Sequence, residues 1–125
     1  AMHLPEDDEG YLTEKGIAFE LTPDGDGCLL LLPNYVIDGE KYDRTDTTLM
    51  VRIPAQYPNA KLDMFYADPP VKLRNGSYPD RADHFEDHGG RRWQRFSRHL
   101  PGWRAGIDGL PTLLTFVHRE LRNGK

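Results

Sequence analysis

The segment from residue 91 to residue 104, RRWQRFSRHLPGWR, concentrates side chains that could do chemistry. Ser97 and His99 are a hydroxyl nucleophile and a base, the pair that acyl transfer uses. Three nearby acidic side chains could orient the histidine: Asp83, Glu86 and Asp87. Residues two apart in an extended segment lie on the same face about 6.6 Å apart along the chain, so a direct relay from Ser97 to His99 requires a bend in the chain.

The same segment carries arginines and tryptophans that could bind a charged partner. They are Arg91, Arg92, Arg95, Arg98 and Arg104, with Trp93 and Trp103. Guanidinium groups hold carboxylates and phosphates, and aromatic rings stack on bases. Two interpretations remain open at this point. The residues form a binding surface, or they form ion pairs and stacking contacts that hold an irregular segment in shape.

Two histidines, His84 and His88, precede this segment at a spacing of four. A helix would place both rings on one face, with carboxylates between them. The pattern is not HExxH, because Phe85 occupies the position of the glutamate, and a third ligand such as His99 would be required. The pair alone does not predict a metal site, and we expect no cofactor. His88 is kept as a candidate acid or base.

The chain contains one cysteine, Cys28, so it forms no internal disulfide and no cysteine-based zinc cluster. Cys28 begins the apolar run CLLLL, where a free cysteine behaves as a small buried hydrophobe. We predict that it is buried, and a role as nucleophile is the alternative.

Net charge and hydropathy limit the class of partner. Sixteen Lys and Arg against twenty Asp and Glu give a net charge of -4. This charge argues against nucleic acid unless the arginines form a strong local patch. No apolar run is long enough to span a bilayer, and residues 1–20 lack the pattern of a signal peptide. We therefore expect a cytoplasmic protein without a membrane partner.

The elements that position these residues predict one α+β domain over residues 1–125. PEDDEGYLTEKG predicts a short N-terminal helix that stops at Gly16. The turn cluster at 23–27 separates two apolar runs, which predicts a hairpin. TTLMVRIP and LDMFYADPP add two strands, completing a four-stranded antiparallel meander.

The second half of the chain has a different pattern. From Pro69 to Trp103 no periodicity is sustained, which predicts an irregular, active-site-like segment. A C-terminal amphipathic helix follows, because apolar residues recur on one helical face. They are Leu110, Leu113, Leu114, Val117 and Leu121.

Three motifs in this order carry a resemblance to a known family. IPAQYP at 53–58, followed by DPP at 68–70, is similar to a proline-tyrosine-proline flap and the prolines around a fourth strand. LPGWRAGIDGLPTLLTFVHREL at 100–121 is similar to a tryptophan turn and its following helix. The flap residues are Pro54, Tyr57 and Pro58. Together the motifs resemble the ubiquitin-conjugating enzyme superfamily, and WQRFSRH followed by GWRAG resembles its prokaryotic family E branch.

The resemblance implies a conjugating-enzyme-like fold and a role in a bacterial ubiquitin-like protein modification pathway. The implied partners are a ubiquitin-like protein and its activating enzyme, and a metalloprotease is an implied component of the same pathway. In the superfamily, a cysteine thiolate just before the tryptophan turn accepts the modifier's C-terminal glycine and passes it to an amine. A polar residue beside it stabilises the oxyanion.

The chain departs from that pattern at the nucleophile. The matching segment, GGRRWQRFSRH, contains no cysteine. Ser97, His99 and His88 are then the groups able to take part in acyl transfer, which leaves open whether the chain is a transferase. A non-catalytic adaptor of the same fold is one alternative, and an arginine-dependent nucleic-acid-binding domain is another.

Overall fold

The structure, a computed structural model that describes residues 3–123, contains two helices and one antiparallel sheet. The elements in chain order are α1 (Glu6–Glu14), β1 (Glu20–Asp24), β2 (Gly27–Val36), β3 (Asp46–Ile53), β4 (Phe65–Asp68), β5 (His84–His88), β6 (Arg91–Phe96) and α2 (Leu110–Asn123). The sheet order is β1-β2-β3-β4-β6-β5. The α+β fold class is therefore confirmed, and within the described residues neither helix is long and apolar enough to cross a membrane.

The first four strands form the expected meander, and its inner face packs against α2. The strand register pairs Leu30 with Val51 and Leu49 with Ala67, and the side chains of all four are buried in one core. The predicted apolar face of the last helix joins the same core, since every member of that face is buried. The inward-facing apolar residues of the strands therefore pack against the apolar face of the helix.

The structure corrects the prediction of an irregular segment between residues 84 and 96, where β5 and β6 form a hairpin. Gly89 and Gly90 make the turn, with φ of 61° and 73°. Two-residue loops with positive φ at both positions match the twist of hairpin strands, and glycine adopts that conformation without strain. The charged residues of HFEDH and RRWQRF hid the alternation, although the Gly-Gly between them is a hairpin signal.

The hairpin completes a second apolar cluster on the outer face of the sheet. Its members are Leu29, Met50, Tyr66 and Trp93, all of which are buried. The Trp93 indole Nε1–H donates a hydrogen bond to the His88 carbonyl oxygen at 3.1 Å, so the polar end of the ring is also satisfied. The sheet therefore has a core on each face.

The tip of the hairpin reaches the opposite end of the sheet. A Cβ added at Gly89 would lie 3.0 Å from Leu29 Cδ1 and 3.7 Å from Thr22 Cγ2, on β2 and β1. A Cβ added at Gly90 would meet nothing within 4 Å. The sheet curls enough to bring its two ends together over the outer cluster.

This contact predicts that Gly89→Ala destabilises the protein more than Gly90→Ala. Both substitutions place a Cβ at positive φ, which costs about 1–2 kcal/mol. Only the methyl group at Gly89 also meets a packed side chain, and such overpacking adds about 1–3 kcal/mol. Urea denaturation of the two variants measures the difference in the free energy of unfolding. Equal losses would show that the hairpin tip does not contact β2.

Candidate functional site

Ser97 lies at the end of the β4–β6 pair, beside the residue that precedes β4. Phe65 pairs with Phe96 across the two strands, so the next residues outward, Met64 and Ser97, are neighbours. The Ser97 hydroxyl donates to Met64 Sδ at 3.7 Å, and its backbone N–H donates to the Arg81 carbonyl oxygen at 3.0 Å. Backbone pairing therefore fixes the position of the half-buried hydroxyl.

His99 is held by an acidic residue that the sequence did not point to. Its Nδ1 lies 2.8 Å from Asp63 Oδ2, and the Leu100 backbone N–H donates to Asp63 Oδ1 at 3.1 Å. The prediction that one of the acidic residues at 83, 86 and 87 orients His99 is wrong. No hydrogen bond between the Ser97 hydroxyl and the His99 ring occurs within the described part of the chain, so the direct relay is absent.

The environment of Asp63 keeps its carboxyl group ionised. Burial acts to raise the pKa, but hydrogen bonds from His99 and Leu100 and the charges of His99 and Lys61 outweigh it. The net result is a pKa below the ordinary value of 3.8. Because an ionised carboxylate only accepts hydrogen bonds, His99 must donate through Nδ1. In the neutral ring the free lone pair is then on Nε2.

An open cavity of about 340 Å³ is lined by Asp63 and Met64, the residues that His99 and Ser97 contact. Its lining residues are Asp24, Gly27, Arg52, Ile53, Pro54, Lys61, Asp63, Met64 and Tyr66. Two of them contact the candidate residues, since Met64 accepts from Ser97 and Asp63 accepts from His99. The hydroxyl and the imidazole are therefore each one contact away from a cavity whose walls carry charges of both signs.

The flap borders the cavity through Pro54 and is tied to the rest of the fold through Tyr57 and Pro58. The Tyr57 hydroxyl donates to Asp8 on α1 and accepts the Leu110 backbone N–H of α2 at 2.7 Å. Burial, followed by the hydrogen bond to Asp8, raises the pKa of Tyr57 far above its usual range, so this hydroxyl stays protonated.

Trp103 braces the flap from the other side. Its indole Nε1–H donates to the Pro58 carbonyl oxygen at 3.1 Å, and its ring centroid lies 6.4 Å from that of Tyr57. The indole satisfies its polar atom while its ring packs on the flap. Trp103 thus has a bracing position, in addition to the binding role that the sequence suggested.

Glu86 organises the charged residues of the hairpin. Its carboxylate accepts hydrogen bonds from the Tyr66 hydroxyl at 3.2 Å, His88 Nε2 at 2.8 Å and Arg95 Nη1 at 2.7 Å. Burial acts to raise the pKa of Glu86, but the hydrogen bonds from His88, Arg95 and Tyr66 outweigh it and lower the pKa. His88 is therefore engaged with Glu86 and not with Ser97.

Arg98 and Trp93, both predicted to bind a partner, are buried instead. Arg98 is 3% exposed, and its guanidinium donates to the carbonyl oxygens of Asp80 and Glu120. Trp93 is 1% exposed within the outer cluster. Neither side chain can contact a partner in this conformation, so both hold the fold together.

The other four arginines pair with nearby groups. Three of them form ion pairs with N···O distances of 2.6 Å (Arg91–Asp68), 2.7 Å (Arg95–Glu86) and 3.3 Å (Arg104–Asp108). The guanidinium carbon of Arg92 lies 4.7 Å from the centroid of the Phe85 ring. These contacts favour the interpretation in which arginines shape the segment, and they leave little free positive charge for a phosphate backbone. Arg92 and Arg104 remain exposed to solvent.

His84 and His88 lie on one strand rather than on a helix. Four residues along a strand span about 13 Å, which is too far for two rings to bind one ion. His84 Nδ1 instead lies 3.1 Å from Asp83 Oδ1. Over residues 3–123, no group of three His, Cys, Asp or Glu side chains is arranged to hold a metal ion.

Cys28 is 5% exposed, which confirms the predicted burial. It lies on β2 opposite Ile53, within the inner core. Burial, with a smaller contribution from the charge of Asp24, raises the pKa of the thiol. A buried thiol with a raised pKa is a poor nucleophile.

Gln94 is a positioning residue that the sequence analysis missed. It is fully buried, and its side-chain amide bonds to the Val71 backbone N–H at 2.7 Å and to the carbonyl oxygens of Val71 and Ala82 at 2.9 and 2.8 Å. These bonds fix the irregular stretch before β5 onto the sheet. A polar residue at an inward position of a strand would have pointed to Gln94. This position can be recognised only once residues 91–96 are known to form β6.

Comparison with known proteins gives one finding. The family model described as prokaryotic E2 family E matches residues 4–124. No curated protein and no solved structure matches the chain.

The burial of Cys28 predicts slow labelling of the native protein by a maleimide and fast labelling in denaturant. The reason is that the thiol is covered by the core and its thiolate is disfavoured. Because the chain has one cysteine, all labelling measured by mass spectrometry belongs to it, and Cys28→Ser is the blank. Rapid native labelling would make Cys28 the first candidate nucleophile.

The Glu86 network predicts a stability difference that depends on pH. Its pKa is lowered in the folded protein, so the ionised carboxylate stabilises the fold above its ordinary pKa of 4.5. This contribution is lost as the pH falls through the folded-state pKa. Urea denaturation should show Glu86→Gln less stable than the wild type at about pH 7, with the gap narrowing towards about pH 3. Glu14→Gln, exposed on α1, is the control, and a constant gap would contradict the prediction.

Proposed function

The chain belongs to the prokaryotic E2 family E, and we propose that it acts as a conjugating-enzyme-like component of a ubiquitin-like protein modification pathway. Its proposed partners are a ubiquitin-like protein and the enzyme that activates it. The family match covers residues 4–124, so it includes every residue that lines the cavity.

One observation carries the catalytic form of this proposal. The Ser97 hydroxyl is half-buried and contacts Met64, which lines the same cavity as Asp63 of the Asp63–His99 pair, whereas the thiol of Cys28 is buried in the core. The hydroxyl is therefore the more accessible nucleophile of the two. An oxyester on Ser97 would replace the thioester that the superfamily forms on cysteine.

The proposed loading step is an acyl exchange. Ser97 Oγ attacks the activated carbonyl carbon at the C-terminus of the modifier. A carbon–oxygen bond forms, and the bond from that carbon to its carrier on the activating enzyme breaks. The hydroxyl proton passes to solvent and the carrier leaves with the electron pair. The activating enzyme has already used ATP, so no further reactant is needed.

A covalent adduct tests this proposal. The protein is mixed with ATP and with a cognate activating enzyme and ubiquitin-like protein, and the products are separated with and without reductant. An adduct that resists reductant, yields to base and disappears in Ser97→Ala supports the oxyester. Cys28→Ala is the matched control and should keep the adduct. A reductant-sensitive adduct lost in Cys28→Ala would contradict the assignment of Ser97.

The contact between Ser97 and Met64 favours a second candidate, a non-catalytic adaptor. In the part of the chain that the structure describes, the Ser97 hydroxyl has no base as a hydrogen-bond partner, since its donor bond goes to the thioether sulfur of Met64. In this case no adduct forms, but the protein still binds the ubiquitin-like protein through the exposed arginines. Arg92→Ala should then weaken binding measured by calorimetry. Arg119→Ala is the control, because Arg119 is an exposed arginine that also lies over a phenylalanine ring, on α2.

A further inference from the structure

The Asp63–His99 pair differs from an ordinary surface ion pair because further groups also contact the Asp63 carboxylate. Asp63 accepts from the Leu100 backbone N–H at 3.1 Å as well as from His99, and Lys61 Nζ lies 3.8 Å away. The carboxylate is 22% exposed, while the imidazole it holds is 61% exposed. A fixed acid therefore presents a histidine ring to solvent.

The chain contains a second histidine and aspartate pair that lacks these features. His84 Nδ1 lies 3.1 Å from Asp83 Oδ1, but both side chains are more than 60% exposed. Among residues 3–123, Asp83 accepts no backbone hydrogen bond, and neither residue lines the cavity that Asp63 and Met64 line. Contact between a histidine and an acid therefore occurs more than once in the described residues. Only in the Asp63–His99 pair is the acid also held by a backbone hydrogen bond and placed in the cavity wall.

Resting on the proposed function, we infer that His99 is the general base for the amine that attacks the ester on Ser97, and that Asp63 is its positioning residue. Asp63 and Met64 are consecutive residues and both line the cavity, the first in contact with His99 and the second with Ser97. Ser97 and His99 thus contact consecutive residues of one cavity wall, and the proposal places an acyl group on Ser97 beside the imidazole.

The geometry directs the base to the incoming amine rather than to Ser97. Because His99 donates through Nδ1 to Asp63, its basic atom is Nε2. The Ser97 hydroxyl has its own partner in Met64 and no bond to His99. An exposed Nε2 instead meets a group that arrives from solvent, and an acceptor amine is such a group.

The transfer step balances without a further reactant. The amine nitrogen attacks the ester carbonyl carbon, a carbon–nitrogen bond forms, and the bond from that carbon to Ser97 Oγ breaks. His99 Nε2 takes the proton that the amine loses, and Ser97 Oγ takes a proton from the imidazolium or from solvent. The products are an amide and the free hydroxyl. The charged and titratable groups that face this step from the cavity wall, besides Asp63, are Asp24, Arg52, Lys61 and Tyr66.

The first test separates loading from transfer. The adduct is formed with the activating enzyme, the ubiquitin-like protein and ATP, isolated, and mixed with free L-lysine as the amine. In His99→Gln the adduct should form as in the wild type, but its transfer to lysine should slow about 100-fold, the size of a general-base contribution. In Asp63→Asn transfer should slow by about 10-fold or more, because the ring is no longer held in its basic tautomer.

Matched controls are available on the same chain. His118→Gln and Asp26→Asn change an exposed histidine and an exposed aspartate outside the site, and both should transfer like the wild type. Normal transfer in His99→Gln overturns the inference while leaving the oxyester intact. Loss of adduct formation in His99→Gln overturns it too, since the histidine would then serve loading. Absence of any adduct in the wild type overturns the catalytic proposal and this inference with it.

The second test needs no modifier. Nitrogen NMR of the imidazole ring should show His99 with its proton on Nδ1 in the neutral form. Asn at position 63 can still accept from the Leu100 N–H through its carbonyl oxygen, but it presents an amide donor to the ring. The proton should then move to Nε2 in Asp63→Asn. A wild-type ring protonated on Nε2, or a tautomer that Asp63→Asn leaves unchanged, would overturn the positioning role.

Discussion

The antiparallel pairing of β4 with β6 is the constraint on which the site depends. The rings of Phe65 and Phe96 face each other across this pair with centroids 4.7 Å apart, buried in the inner core. Because the two strands run in opposite directions, the residue before one and the residue after the other are neighbours. Ser97 therefore contacts Met64, and His99, two residues further along the chain, contacts Asp63. Core packing thus sets the distance between groups that lie outside the core.

Strand β6 contributes side chains to the packing on both faces of the sheet. Phe96 and Gln94 point inward, one into the core and the other onto the irregular stretch that covers it. Trp93 and Arg95 point outward, into the second cluster and onto Glu86. A strand that is committed on both faces has one possible register, since a shift by one residue would exchange every side chain between the faces. The position of Ser97 is fixed for the same reason.

The sequence was sufficient for elements whose signal is local. The apolar face of α2 and the turn at 23–27 each have a period or a turn signal that one window of sequence contains. The hairpin was missed because its strands carry charged residues where an apolar alternation would be expected. Glu86 and Arg95, for example, form an ion pair with each other on the outer face of the sheet. Its Gly-Gly turn was the one local signal. Asp63 could not be found in this way, because 36 residues separate it from His99 and only the β4–β6 pairing joins them.

The replacement of a thiol by a hydroxyl changes what the rest of a conjugating site must supply. A thiolate is a good leaving group, so an amine can expel it with little assistance. An alkoxide is a much poorer leaving group, so an ester needs proton transfer to the oxygen and from the amine. A site that relies on Ser97 therefore requires a base near the ester, which a cysteine-based site can do without. The Asp63–His99 pair lies at the same end of the β4–β6 pair as Ser97, so the proposed nucleophile and the proposed base depend on a single packing arrangement.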